Sequence, residues 1–230
     1  MMFENPLIIF DCDGVLIDSE AIYLDEEFKF LAARKIHLDK AWYVREFMAL
    51  ANEKWRAKFS DLIAEHTGTP LSDAEYDAMK KSTRARIFNE VEVIAGVEKM
   101  LALLQVNRCV ASSTAMHFLP GKLERTGLAD YFGQGVYSGD MVANGKPAPD
   151  LFLHAAAQMG GSADNAIVVE DSANGVKAGK SANMFTIGFT GGSHCFEGHD
   201  ETLIDAGADL VLASHNDLAD WLRNNSNALG

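Results

Sequence analysis

Asp11 and Asp13 stand two residues apart in the stretch 10–20, FDCDGVLIDSE, directly after the apolar run PLIIF. An apolar, β-rich run of that length predicts a strand buried on both faces, so the two acids fall where it ends. Gly14 then permits a sharp turn, which lets both carboxylates approach one small site instead of facing opposite ways along a strand. Paired acids so placed can act as nucleophile, as general acid and base, or as ligands of a hard cation. Asp-x-Asp-Gly is also an ordinary turn sequence, so the pair needs support from elsewhere in the chain.

Polar residues at the ends of the other apolar runs supply that support. Ser112 and Ser113 close the run at 108–111, Glu170 and Asp171 close the run at 166–169, and Lys146 lies between them in GKPAPD. Taken alone, the two acids could be ordinary helix N-terminal residues, Ser112 a helix cap and Lys146 a solvated loop residue. In an open parallel sheet, however, ligands bind outside the carboxyl ends of the strands, where all of these residues would converge.

Apolar periodicity predicts the elements that must position them. Helices are expected over residues 19–34, 40–48, 52–66 and 73–88, with Ser19 capping the first and Ser72 with Glu75 forming a capping box on the fourth. No strand is expected between residues 18 and 90. Beyond Val91, helices at 97–105, 118–126, 150–159, 174–181 and 218–223 alternate with strands at 108–111, 135–137, 166–169, 184–187 and 210–212. This alternation is that of a parallel sheet covered by helices on both faces. The expected fold is a Rossmann-like α/β core from residues 1–17 and 91–230, with an inserted α-helical cap at 18–90. Trp42, Phe47, Trp55 and Phe59 are read as the apolar core of that cap. Connections near Ile17 and Asp18 and over 90–93 are read as its hinge.

In this order the motifs resemble those of the haloacid dehalogenase superfamily of phosphotransferases. FDCDGVLIDSE resembles its first motif, VASST its second, GKPAPD its third and VVEDSANGVKAG its fourth, and the helical insertion stands where that family carries its first type of cap. The resemblance implies a Mg²⁺-dependent phosphatase working through an aspartyl-phosphate. Asp11 would be the nucleophile and Asp13 the general acid and base. Asp11, Asp171 and the Asp13 carbonyl would hold Mg²⁺, with Glu170 reaching the ion directly or through water. Lys146, the Ser112 hydroxyl and the Ser113 amide would hold the phosphate.

An acid at position 13 argues for phosphate chemistry over dehalogenation. The β-phosphoglucomutase-like members, which share the cap type, typically carry a histidine where this chain has Tyr23 and an arginine in a cap loop where it has ALAN, residues 49–52. A phosphatase of a small sugar phosphate or a phosphoglycolate-like compound is therefore the leading reading. A phosphosugar mutase is the alternative, and a non-catalytic binding protein of the same fold is a third. Asn52, Lys54 and Arg56 in the cap are candidate specificity residues.

With 20 Lys and Arg against 33 Asp and Glu, the formal net charge is −13. Such a surface repels nucleic acid and anionic membrane, so neither is expected as a partner, and an anionic substrate needs a locally positive site. Cys12, Cys109 and Cys195 are few and scattered, which suits a reducing compartment, and no signal-like or membrane-spanning run is seen, so a cytoplasmic location is expected. Cys12 is expected to point into the core. In GSHCFEGHD, residues 192–200, His194, Cys195 and His199 could be soft-metal ligands, but the segment lacks a clear fourth donor and is read as a flexible loop beside the crevice.

Overall fold

The structure is a computed structural model that describes residues 2–47, 50 and 52–229. Along the chain run β1 (Leu7–Phe10), α1 (Ser19–Ala33), α2 (Lys40–Phe47), α3 (Asn52–Thr67), α4 (Asp73–Glu90), α5 (Val97–Leu103), β2 (Arg108–Ser112), α6 (Leu119–Arg125) and α7 (Ala129–Phe132). They are succeeded by β3 (Val136–Ser138), α8 (Asp150–Gln158), β4 (Ala166–Glu170), α9 (Ala173–Ser181), β5 (Phe185–Phe189), α10 (His199–Asp205), β6 (Leu210–Leu212) and α11 (His215–Asn225). The strands form one parallel sheet in the order β3-β2-β1-β4-β5-β6. This is the Rossmann-like arrangement expected from the alternation.

β1 is central, and its alternation explains why its residues are all apolar. Ile8 and Phe10 enter the apolar cluster on one face of the sheet, while Leu7 and Ile9 enter the cluster on the other. Phe10 pairs with Val110 of β2 and Val169 of β4, so Asp11 emerges level with the ends of both neighbours. The strand order reverses direction at β1 and β4, the switch point where such sheets bind ligands.

Between β1 and α5 the chain is helical. Tyr43, Phe47, Trp55 and Phe59 belong to an apolar cluster of α1–α4 that is distinct from the two clusters on the sheet, with Tyr43 stacked on Phe47 and Trp55 on Phe59. Trp42 departs from the expectation and is 37% exposed, because the buried stripe of α2 is Tyr43, Val44 and Phe47 and its neighbour points away. The capping box of Ser72 and Glu75 is present. Ser19 does not cap α1; Asp18 holds that position and makes no side-chain cap bond, which leaves the Ser19 hydroxyl for another partner. The two chain crossings between the helices and the sheet run side by side, Ile17 bridging Val93 and the Asp18 amide donating to the Glu92 carbonyl at 3.0 Å. Periodicity does not reveal α7 or α10; α7 is a single turn, and α10 begins inside the stretch read as a loop. No helix among the described residues is long and apolar enough to cross a membrane.

His215, at the first turn of α11, is fully buried and its Nε2 donates to the Val15 carbonyl at 2.8 Å. Burial holds its pKa down, to about 4, against an ordinary value of 6.5. The folded state therefore favours the neutral ring, so the stability it contributes is fully present above pH 6.5 and declines as pH falls toward 4. Denaturant titrations at about pH 7.5 and about pH 5 should differ by about 2 kcal/mol more in the wild type than in His215→Gln. Equal differences in the two proteins would exclude this assignment.

Candidate active site

Asp11, Asp13, Ser112, Ser113, Lys146, Glu170 and Asp171 all line one cavity of about 940 Å³ between the strand ends and the helices α1–α3. At its floor the Lys146 ammonium donates to Asp11 Oδ1 at 2.5 Å and to Glu170 Oε1 at 2.6 Å. Glu170 Oε2 accepts from the Ser172 amide at 2.9 Å and its hydroxyl at 3.0 Å. Lys146 also lies 4.9 Å from the ring of Phe152, an apolar wall that keeps its charge on the two acids.

Two glycines make this packing possible. Gly14 has φ of +79°, and a Cβ there would fall 2.0 Å from Asp171 Oδ2. Gly175, inside α9, would place a Cβ 1.8 Å from the Glu170 carboxyl. Both carboxylates occupy space that any larger residue would take.

Carboxylate oxygens of Asp11, Glu170 and Asp171, all three buried, lie within 4.8 Å of one another. Burial, then the neighbouring acids, push Asp11 well above the usual carboxylate range in spite of Lys146, and Glu170 is raised for the same reasons. One lysine leaves this cluster short of positive charge. An all-oxygen donor set fits a hard divalent cation such as Mg²⁺, which would restore ionised Asp11 and supply positive charge for the phosphate.

The Asp13 side chain is turned out of that cluster. Its Oδ1 accepts from Lys122 at 2.6 Å and from Ser19, and its Oδ2 accepts from Thr114 at 2.6 Å. Burial would raise Asp13, but the Lys122 charge and the hydrogen bonds from Lys122, Ser19 and Thr114 outweigh it and hold the carboxyl below the usual range. The Ser112 hydroxyl, buried, accepts from the Thr114 amide at 3.0 Å and so shapes the turn that presents Ser113 and Thr114. Cys12, between the two acids, is wholly buried in the core, as expected.

The helical side of the cavity carries Glu20, Tyr23, Arg45, Leu50 and Asn52. Burial pushes Glu20 up to about 7 and Tyr23 up to about 12. Of the three candidate specificity residues only Asn52 lines the cavity, where its Oδ1 also accepts from Tyr76. Lys54 and Arg56 do not. The rotation of α3 carries Lys54 to its exposed side, and Arg56 is drawn to Asp73 and over the Tyr76 ring. Met48, Ala49 and Ala51 of the ALAN stretch and its approach lie outside the described residues.

Residues 192–199 pack on Asp171. His194, buried, places Nε2 at 3.0 Å from Asp171 Oδ2, and His199 Nε2 donates to the Asp171 carbonyl at 2.7 Å. Burial would lower the His194 pKa, yet the contacts with Asp171 and Cys195 push it up to about 11. The expected loop thus does border the crevice, with its histidines bonded into it.

Residues 6–183 match the haloacid dehalogenase-like hydrolases. The chain belongs to that family. It is 28% identical over 204 residues to a 6-phosphogluconate phosphatase of Escherichia coli (strain K12), covering 88% of each chain. To a probable pseudouridine-5'-phosphatase of Drosophila melanogaster it is 31% identical over 190 residues, covering 76% of this chain and 78% of the other. A conserved haloacid dehalogenase-like protein from Agrobacterium tumefaciens superposes with a TM-score of 0.86 at 37% identity, over 95% of this chain and 98% of that one. As a member of this family, the chain is a phosphoric monoester hydrolase that acts on phosphorylated metabolites.

Reasoning from the sequence overlooks Lys122, Thr114 and Ser19 as parts of the site, and places the two histidines beside the crevice without their contacts to Asp171. Lys122 carries a signal: Leu119, Lys122 and Leu123 form the buried stripe of α6, so a lysine stands on an apolar helix face. Buried lysines are rare unless paired, and here the pair is Asp13.

Proposed function

We propose that this protein is a Mg²⁺-dependent phosphatase of small phosphorylated sugars or phosphoglycolate-like acids, working through a phospho-aspartate on Asp11. The observation that carries this reading is the convergence of Asp11, Glu170 and Asp171, with Lys146 bonded to the first two, at the switch point of the sheet. An Asp11 oxygen attacks phosphorus, forming the O–P bond as the ester oxygen departs. Asp13 gives that oxygen a proton, then takes one from the water that hydrolyses the acyl phosphate. Lys146 offsets the charge of the transferring group, and Ser112 and the Ser113 amide hold its oxygens. Asp11, Asp171 and the Asp13 carbonyl would hold Mg²⁺, with Glu170 beside them; the ion supplies charge neutralisation at the phosphoryl oxygens.

The contact with Lys122 favours the Asp13 carboxylate, which suits the second half of this cycle. A carboxylate in that position can activate either water or a second sugar hydroxyl, so the choice between them rests on the cap side of the cavity. There Tyr23, in place of a histidine, supports hydrolysis over the mutase. The α1–α4 unit acts as a cap whose paired crossings at Ile17–Asp18 and 90–93 let it open and close, excluding bulk water during transfer. The acidic surface and three free cysteines fit a cytoplasmic enzyme of small metabolites. The 6-phosphogluconate and phosphorylated-carbohydrate phosphatases among its relatives support a sugar-derived substrate.

A panel of phosphorylated metabolites assayed with Mg²⁺ should give free phosphate from sugar or sugar-acid phosphates, and chelation should abolish release. Conversion of a sugar 1-phosphate to the 6-phosphate without net phosphate release would establish the mutase instead. Metal-independent turnover would remove the divalent ion from the mechanism.

A further inference from the structure

We propose that His194, Cys195 and His199, closed by the carboxylate of Asp171, form a binding site for a borderline transition-metal dication of the zinc class. One nitrogen of each imidazole and the Cys195 sulfur lie within 4.8 Å of one another. The segment alone lacks a fourth donor, and the fold brings one beside it: Asp171 Oδ2 lies 3.0 Å from His194 Nε2.

The separations suit a tetrahedral ion. Zinc–nitrogen and zinc–oxygen bonds of about 2.0–2.1 Å and a zinc–sulfur bond of about 2.3 Å put tetrahedral ligands roughly 3.3–3.6 Å apart. Cys195 Sγ lies 3.7 Å from His194 Nε2, and the carboxylate–imidazole distance is 3.0 Å, so both edges close with small side-chain adjustments.

His199 adds an independent observation. Its Nε2–H donates to the Asp171 carbonyl, which fixes the ring and leaves Nδ1 as the lone-pair nitrogen. That Nδ1 is buried and has no hydrogen-bond partner. A ligating imidazole commonly holds its other N–H on a backbone carbonyl in this way. The two imidazoles meet edge to face, with centroids 5.7 Å apart, and do not stack.

Donor chemistry separates this site from the carboxylate cluster. Thiolate and imidazole select zinc-class ions, whereas three carboxylates suit Mg²⁺. Asp171 belongs to both, so an ion on the histidine side draws its Oδ2 away from the phosphoryl side.

The test is optical and needs no turnover, so it stands whether or not the phosphatase reading does. The full-length chain, stripped with a chelator, is titrated with Co²⁺ in excess Mg²⁺. One Co²⁺ per chain should bind with a thiolate-to-metal charge-transfer band and tetrahedral ligand-field absorption. Cys195→Ser should lose the charge-transfer band, and His199→Ala should weaken Co²⁺ binding at least about tenfold. Asp11→Asn should keep the band. Circular dichroism of each variant establishes that it is folded, and the Cys195→Ser side chain is small enough for its partly exposed position. No Co²⁺ binding, binding without thiolate absorption, or a band that survives Cys195→Ser would each overturn the assignment.

Discussion

With Asp11 as the proposed nucleophile, Asp11→Asn should lower phosphate release by on the order of 10⁴-fold or more, about 5 kcal/mol or more of transition-state stabilisation, while leaving the protein folded. The amide cannot form the acyl phosphate, and no other described carboxylate can replace it. Glu170 is held by Lys146 and Ser172, and Asp171 by His194, each in its own contacts. Stability should not fall. Burial and then the like charges of Glu170 and Asp171 raise the Asp11 pKa, and the neutral amide removes both penalties, while Lys146 keeps Glu170. Without divalent ions the thermal midpoint of the variant should therefore equal or exceed that of the wild type. Phosphate release above roughly a tenth of the wild-type rate would remove Asp11 as nucleophile, because loss of a covalent nucleophile is never that mild.

Lys122→Met separates the two halves of the proposed cycle. The lysine is buried and its ammonium is bonded to Asp13 at 2.6 Å and to Thr114 at 3.1 Å. Removing it leaves Asp13 with two hydroxyl donors and no cation, so burial becomes the dominant influence and the carboxyl pKa rises. Asp13 must be a carboxylate to take a proton from water, so the pH below which kcat falls should move upward by more than about one unit. Stability above neutral pH should drop by about 3 kcal/mol, the low end for breaking a buried pair, since Ser19 and Thr114 remain and Asp13 keeps some contact with solvent. A pH profile of kcat superposable on the wild type, with the same variant destabilised, would assign Lys122 to folding alone.

The core of the site is readable because each motif lies at the end of an apolar run. A buried parallel strand must be continuously apolar, so its end is visible as the first polar residue, and Asp11, Ser112 and Glu170 are such residues. The capping box of Ser72 and Glu75 is readable for a similar reason, since it is a contact between residues three apart. The cap side of the cavity is not. Which face of α3 turns inward depends on how α1–α4 pack, so Asn52 reaches the cavity while Lys54, half a turn on, does not, and Arg56, a full turn on, is drawn to Asp73 instead.

The chain's own order of residues determined the α/β alternation, the helical insertion and the acids, hydroxyls and lysine that leave the strands. Those depend on local periodicity and on short-range turns. Only the tertiary structure decided the partners of Asp13 and Asp171. Lys122 lies 109 positions from Asp13 along the chain, and it meets that carboxylate because α6 docks its buried stripe beneath the first motif. Gly14 is legible in the sequence as a turn residue. The fold shows it is also the space into which Asp171 fits, and across that space His194 and His199 bring a second set of donors to the same residue. Packing brings these groups together, and packing has no period that a sequence can display.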